Sequence, residues 1–279
     1  MSKINEWKPA LELLGHPSWP LCRLTLLVFV TGGFSTLREV LDELNGPIDI
    51  GECTYLDPQK TISPHIESLN LAASTILERS NEKHTAVFDL DGNPCDLLES
   101  AILIAQQQVI EKELEQINSI LCAPCSCTLC CTGPGSDDLQ DYFEIPLSSN
   151  EVSLFNIKRI ENERTISTTA CEAEKRWPFY SHAPAIFHWS NGWSLILPKD
   201  SVCPNLTMEG KCKIYGKRPY VCRKPQIFCY VVEKQKEMLV KQEKILAVTD
   251  CPYVKDLKEE IANYGRLCGL EVVFSRNKL

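Results

Sequence analysis

The sequence has 279 residues, 44% of them hydrophobic, which is enough for one large or two modest cores and argues against disorder. Its formal net charge is −8, so it has no positive field of the kind that draws phosphate backbones or anionic lipid, and no nucleic acid is expected as a partner. The N-terminus, Met1-Ser-Lys-Ile-Asn-Glu-Trp-Lys, lacks the features of a secretory signal, and the longest apolar run, Leu24 to Val30, is far short of the roughly 20 residues that span a bilayer. No membrane is expected as a partner, and the expected location is cytoplasmic.

In chain order, Arg23 to Val30 predicts a buried strand, closed by Thr31-Gly32-Gly33. Thr36-x-x-Glu39 resembles a capping box before a helix with Leu37, Val40, Leu41 and Leu44 on one face. Ile48 to Tyr55 predicts a second strand, and Ser63-Pro64 opens a helix whose stripe is Ile66, Leu69, Ala73, Ile76 and Leu77. Thr85 to Leu90 predicts a third strand. Asp96 then caps a long helix whose apolar positions run from Leu98 through Ala105, Val109 and Leu114 to Ile117. Beyond Cys131 the elements become short. Ser148-x-x-Glu151 predicts another helix start, and Ala185 to Trp189 with Trp193 to Leu197 predicts a hairpin about Ser190-Asn191-Gly192. Val231 to Lys244, with its alternating lysines and glutamates, predicts a charged helix; Ile245 to Thr249 and Leu270 to Ser275 predict short strands. The expected fold class is α+β: a small N-terminal α/β unit (βαβαβα, parallel strands) over residues 1–120, followed by a turn-rich cysteine-cluster metal-binding domain over 121–279.

Fifteen cysteines are several times the number in an ordinary domain, and two segments concentrate them. The first holds Cys122, Cys125, Cys127, Cys130 and Cys131; the second holds Cys203, Cys212, Cys222, Cys229 and Cys251. In a reducing compartment such clusters point to metal ligation rather than disulfides. The first segment contains two Cys-x-x-Cys pairs, each a turn that lets two thiolates face one ion. All ten are candidate metal ligands. Core packing is the reading for the isolated Cys22, Cys53, Cys95, Cys171 and Cys268.

The stretch Cys203-Pro-Asn-Leu, then Cys212-Lys-Ile-Tyr215-Gly-Lys-Arg218-Pro219-Tyr-Val-Cys222-Arg223, resembles the YkgJ-type cysteine-cluster family of zinc- or iron-chelating domains. The resemblance covers about Cys122 to Pro252 and implies a metal centre. Cys127-x-x-Cys130-Cys131 fits the family pattern Cys-x-x-Cys-x-x-Cys-Cys, but its first cysteine falls on Pro124, leaving Cys122 and Cys125 as alternatives. Thiolate ligands suit zinc and iron–sulfur clusters alike, so both cofactors stay open. His182 or His188 could complete a Cys₃His site, although packing or surface roles are favoured. Arg218 and Arg223 are candidates to offset thiolate charge.

Three other motifs are weaker. Val87-Phe88-Asp89-Leu90-Asp91-Gly92 is similar to the nucleophile motif of haloacid-dehalogenase-like phosphatases, but Asn93-Pro94 departs from it and a turn explains it. Thr31-Gly32-Gly33 could present amides to an anion, yet it lacks the glycine spacing and lysine of phosphate loops. Trp177, Phe179, Tyr180, Phe187, Trp189 and Trp193 are expected in a hairpin core.

The leading expectation is a metal-binding protein whose cysteine centre is structural or serves in metal handling, with an iron–sulfur redox or accessory protein as alternative. Flagellin lysine methylases, which use S-adenosylmethionine, carry a similar cluster and imply a third class, but no cofactor site or acid–base pair for that chemistry is recognisable here. The metal ion or cluster is the one expected partner; a protein partner is left open.

Overall fold

The structure, a computed structural model, describes residues 3–78, 86–125, 127–136, 139–170, 172, 183–224, 226–235 and 238–276. The chain is α+β, with helices and several small sheets. It forms two compact units: Met1–Leu121 with Gln226–Leu279, and Cys122–Pro225. Residues 226–279 thus pack with the N-terminal residues in the first unit.

The first unit begins with helices α1 (Lys3–Gly15) and α2 (Trp19–Gly32). α2 replaces the expected strand at Arg23 to Val30. Its buried residues, Trp19, Leu21, Cys22, Thr25, Leu26 and Phe29, recur at helical spacing, while Leu27 and Val30 are exposed. A seven-residue apolar run cannot reveal its own period. Thr25 and Thr31 also accommodate the helix by donating to the carbonyls of Leu21 and Leu27. Asn5–Gly32 has the length and hydropathy of a membrane span, but His16-Pro17 interrupts it, and Trp7, Leu14, Leu21 and Leu26 are buried.

Helix α3 (Leu37–Glu43) starts at Thr36, whose Oγ1 accepts from Glu39 N, as the capping box predicts. The expected strand Ile48 to Tyr55 is a hairpin of β1 (Ile48–Ile50) and β2 (Cys53–Tyr55), turned at Gly51 with φ +58°. Helix α4 (Pro58–Ile62) is capped by Asp57 and leads through a 3₁₀ turn into α5 (Ile66–Glu78). β3 is only Val87–Phe88. Helix α6 (Leu97–Cys122) is the long helix expected from its stripe, and Asp96 Oδ1 accepts from Glu99 N at 2.7 Å. The N-terminal order is therefore not βαβαβα, because its first strand is helical and its second is a hairpin.

The second unit is built on a sheet of β4 (Tyr142–Leu147), β5 (Arg159–Ile160), β6 (Ala185–Trp189) and β7 (Gly192–Pro198), in the order β4-β7-β6-β5. The β6–β7 hairpin matches expectation. Ser148-x-x-Glu151 opens only a 3₁₀ turn, Val152–Leu154, and a one-turn helix α7 (Glu163–Ile166) follows β5. Alternation along β6 and β7 divides the apolar residues between two clusters. Tyr142, Ala185, Phe187, Trp189 and Ile196 form one; Leu147, Val152, Phe155, Ile186, Leu195 and Leu197 form the other. Cys203 packs against the second. Helix α8 (Tyr220–Arg223) is a single turn. Trp177, Phe179 and Tyr180 lie outside the described residues, as does Cys171.

The chain then returns to the first unit. The expected helix Val231 to Lys244 is instead the hairpin of β8 (Ile227–Gln235) and β9 (Met238–Val248). Ile227, Cys229 and Val231 are buried in alternation, a period of two that the interspersed charges obscure. β9 also pairs in parallel with β3 near its start and, after α9 (Pro252–Asp256) and α10 (Lys258–Cys268), with β10 (Glu271–Ser275) near its end. At the bulge between Tyr230 and Val232, Gln107 Oε1 accepts from Val231 N and Val232 N, and its Nε2 donates to Cys229 O. Deeper in this unit, Glu113 of α6 accepts from Ser18 N, Ser18 Oγ and Tyr264 Oη at 2.6–3.0 Å. Asn118 donates to Ile227 O and accepts from Tyr253 Oη.

Candidate metal centre

Short backbone pairings gather the thiols of the second unit. Cys122 and Cys125 flank one turn, closed by Cys125 N to Cys122 O; a second turn is closed by Cys131 N to Thr128 O at 2.7 Å. Cys131 then lies opposite Cys203, because Cys203 N donates to Cys131 O and an isolated antiparallel bridge joins Thr132 to Val202. Gly133 is required next to it, since a Cβ there would collide with the carbonyl of Pro198 at the end of β7. Cys203 is linked to Cys212 by the Leu206–Cys212 bridge, folded over a turn in which Thr207 N bonds Lys211 O and Gly210 has φ +74°.

Cys222 is carried by α8, and Glu151 fixes that helix. Its Oε2 accepts from Ser148 N and its Oε1 from Tyr220 N. Burial opposes the charge of Glu151, but these bonds and nearby Arg223 hold its carboxyl below the usual range. The capping-box pattern identified this glutamate. Nothing local in the sequence reveals that its second oxygen reaches 69 residues onward.

The electrostatics show what has been brought together. Burial drives the Cys131 thiol well up, and Cys203, Cys130, Cys222 and Cys212 push it further in the same direction. Cys222 is pushed up to about 12, again by burial first and then by Cys203 and Cys130, with Arg218 opposing. Cys203 is raised by burial and by Cys212. Five thiols, Cys130, Cys131, Cys203, Cys212 and Cys222, thus lie in one neighbourhood, where neighbouring sulfurs penalise a charge on Cys131, Cys203 or Cys222. A bound cation inverts that logic, because it stabilises the thiolates that otherwise repel. Among the described residues no three Cys, His, Asp or Glu side chains stand in an arrangement that could hold a metal ion. The all-sulfur donor set fits zinc or an iron–sulfur cluster, and these five residues would hold it.

A second grouping adjoins the end of α6. Burial raises the Cys122 thiol, but Arg218 and Tyr215, both hydrogen-bonded to it, act against the shift, and Cys127 lies close enough to add to it. Arg218 is buried, donates from Nε to Tyr215 O at 3.0 Å, and lies 3.7 Å from the Tyr215 ring centroid. The role of Tyr215 was not legible beyond its membership of the Ile-Tyr motif. Cys125 is buried.

The other candidates have different surroundings. Cys229 is buried in the first unit, with Sγ 3.6 Å from Gln107 Oε1 and Cys268 and Tyr264 within electrostatic reach. Cys251 is buried at the start of α9 in the same unit. Cys22, Cys53 and Cys268 are buried there too, Cys22 and Cys268 within reach of Glu113 and Cys53 with its sulfur 3.6 Å from Gly15 O. His188 Nδ1 lies 2.9 Å from Glu161 Oε1 and its ring stacks on Trp193 at 4.2 Å, which accounts for it without a metal; His182 lies outside the described residues. Asp89 is occupied within its own turn, accepting from Asp91 N and from Asn93 N and Nδ2. Gly32 and Gly33 end α2, so their amides are not at a helix N-terminus.

Residues 121–252, just under half of the chain, match the family model described as "CxxCxxCC: Putative zinc- or iron-chelating domain". This is the cysteine-cluster family that the motifs resemble, and zinc- or iron-chelation is the function its description carries. No curated protein and no solved structure matches the chain.

Proposed function

We propose that the second unit binds zinc or an iron–sulfur cluster through cysteine thiolates, and that this centre is structural or serves in metal handling. One observation supports the reading above the rest: Cys130, Cys131, Cys203, Cys212 and Cys222, drawn from loops up to 92 residues apart, are gathered within electrostatic reach of one another, so that their thiolates, costly when uncompensated, would be stabilised by a bound cation. Arg218 and Arg223 offset the remaining negative charge. The reading places the protein in a reducing compartment such as the cytoplasm, with the metal as its partner and neither nucleic acid nor membrane required. Cys229 and Cys251 belong to the broader ligand set of the sequence, and the five-thiol group does not depend on them.

An iron–sulfur redox or accessory role is the second reading, favoured by the count of thiols. One zinc takes four ligands, whereas five thiols gather here and Cys130 and Cys131 are adjacent. Elemental and sulfide analysis of protein purified without oxygen separates the two. Zinc in colourless protein supports the first; iron with stoichiometric sulfide and an absorption that bleaches on reduction supports the second. Metal-free, fully folded protein with every thiol reactive sinks both.

A further inference from the structure

We propose that the loops around the cysteine group form a docking face for a protein partner that presents an acidic surface. That face is defined by charge and exposure, independently of the metal-binding reading. From Lys211 to Lys224 the chain carries six basic side chains and no acidic one, although the whole sequence has a net charge of −8. An ordinary solvated segment intersperses its signs, as Val231 to Lys244 does. Lys211, Lys213 and Lys217 are exposed, and among the described residues none of the three forms an ion pair. Arg218, by contrast, is buried, its Nε donating to Tyr215 O at 3.0 Å.

Backbone pairing sets these lysines beside exposed apolar residues. The turn that carries Leu129 is closed by Cys131 N to Thr128 O, and Val202 lies across the Thr132–Val202 bridge from the end of that turn. Leu206 N bonds Cys203 O and turns the chain into a loop with Met208 near its tip. The arms of that loop are joined by Thr207 N to Lys211 O and Lys213 N to Asn205 O, both 2.8 Å. Leu129, Val202 and Met208 are all exposed. Apolar side chains within a charged rim have the make-up of a protein interface, and a cationic rim speeds and orients the encounter with a surface of opposite sign. Other polyanions fit less well. The exposed cations of the run are all lysines, point charges without the guanidinium fork that matches a phosphate. The net charge of −8 opposes a nucleic-acid backbone, and three separate apolar side chains on turns do not make the continuous helical face that enters a lipid surface.

The test uses the full chain as purified, with metal content measured on every sample, and a short fluorescein-labelled peptide of glutamates and leucines as the probe. Wild type should bind it saturably at low salt, and the affinity should fall about tenfold or more as salt rises from about 0.01 to about 0.15 M and the screening length contracts. Lys211→Glu combined with Lys217→Glu should lose about tenfold or more, while Lys158→Glu combined with Arg159→Glu, an equal change of charge on exposed residues at β5, stays within about twofold. Met208→Ser should cost a few-fold and keep the salt dependence. No saturable binding by wild type, a salt-independent affinity, or equal losses in the two charge-reversed pairs overturns the proposal. So does binding of a single-stranded oligonucleotide, or of phosphatidylserine vesicles, as tight as that of the peptide, because the face would then be a general polyanion site. Self-association in sedimentation that the Lys211→Glu, Lys217→Glu pair abolishes would make the face a contact between copies and overturns it too. If that pair does not fold, the wild-type salt series and Met208→Ser decide. Metal-free protein that still binds the peptide fails the metal-binding reading and supports the docking face.

Discussion

The two units solve the same problem, polar groups taken out of water, in opposite ways. In the first, every buried polar group described above meets a complementary one: Glu113 meets Ser18 and Tyr264, Asn118 meets Ile227 and Tyr253, and Gln107 meets the bulge of β8. In the second, like meets like. Thiols converge, with Arg218 acting on Cys222 and Lys213 on Cys203 as the opposing charges. On the proposed function, the difference separates a unit stabilised by its own hydrogen bonds and core from one whose cysteine loops would gain stability from a bound metal.

Stripping the metal should therefore produce the largest effect. A structural zinc site contributes on the order of 10 kcal/mol, comparable with the whole stability of a domain. Chelation, or Cys222→Ser, should collapse hydrogen-exchange protection in 122–225 while α6, β9 and α10 keep theirs. Equal loss in both units would erase the contrast.

Glu113→Ala should do the converse. It strands three donors and opens a cavity, costing about 3–5 kcal/mol in the first unit with metal content unchanged. Loss of metal in that variant would show that the units are not independent in the way described.

His65 gives a pH-dependent version. It is buried, and desolvation first, with the Lys112 charge second, lowers it from 6.5 to about 4. A histidine whose folded value lies below its unfolded one contributes nothing unfavourable above about 6.5. Its stability cost appears as pH falls from there toward 4, because the unfolded chain takes up the proton. Thermal melts of wild type should lose a few kcal/mol across that window, and His65→Leu should flatten the slope. An unchanged slope would place the acid sensitivity elsewhere.

The smallest effect belongs to Glu151→Gln. It keeps an acceptor for Tyr220 N or Ser148 N but loses charge, so α8 should loosen by about 1 kcal/mol and metal release from loaded protein should quicken several-fold. No change in release would separate α8 from the centre.

The legible parts were those that local chemistry determines. Thr36 and Glu39, Asp96, and the stripe of α6 specify their helices by capping and period, and the β6–β7 hairpin follows from Ser190-Asn191-Gly192. The cysteine loops could be recognised because closely spaced thiols have few other uses. What failed did so for two reasons. Leu24 to Val30 is too short to show whether its period is 3.6 or 2, and tertiary burial decided for the helix. Val231 to Lys244 carries charges whose alternation mimics a solvated helix, but its apolar residues pair across β8 and β9. The order of the units was hidden because β9 takes partners from both ends of the chain, a long-range fact with no local mark.

The hydrogen bond from Asn118 to Ile227 brings the two edges of the break in the first unit together, although about a hundred residues lie between them. During synthesis, β3 and α6 emerge first and must wait for β9 and β10, while the cysteine segment is already complete. Closing so long a disordered loop carries an entropic toll that grows with its length, and a segment already condensed on its metal presents a much shorter span. Metal supply would then set the pace of assembly of a unit that contains none of the five-thiol group, and refolding of the first unit should be faster when zinc or iron is present from the start.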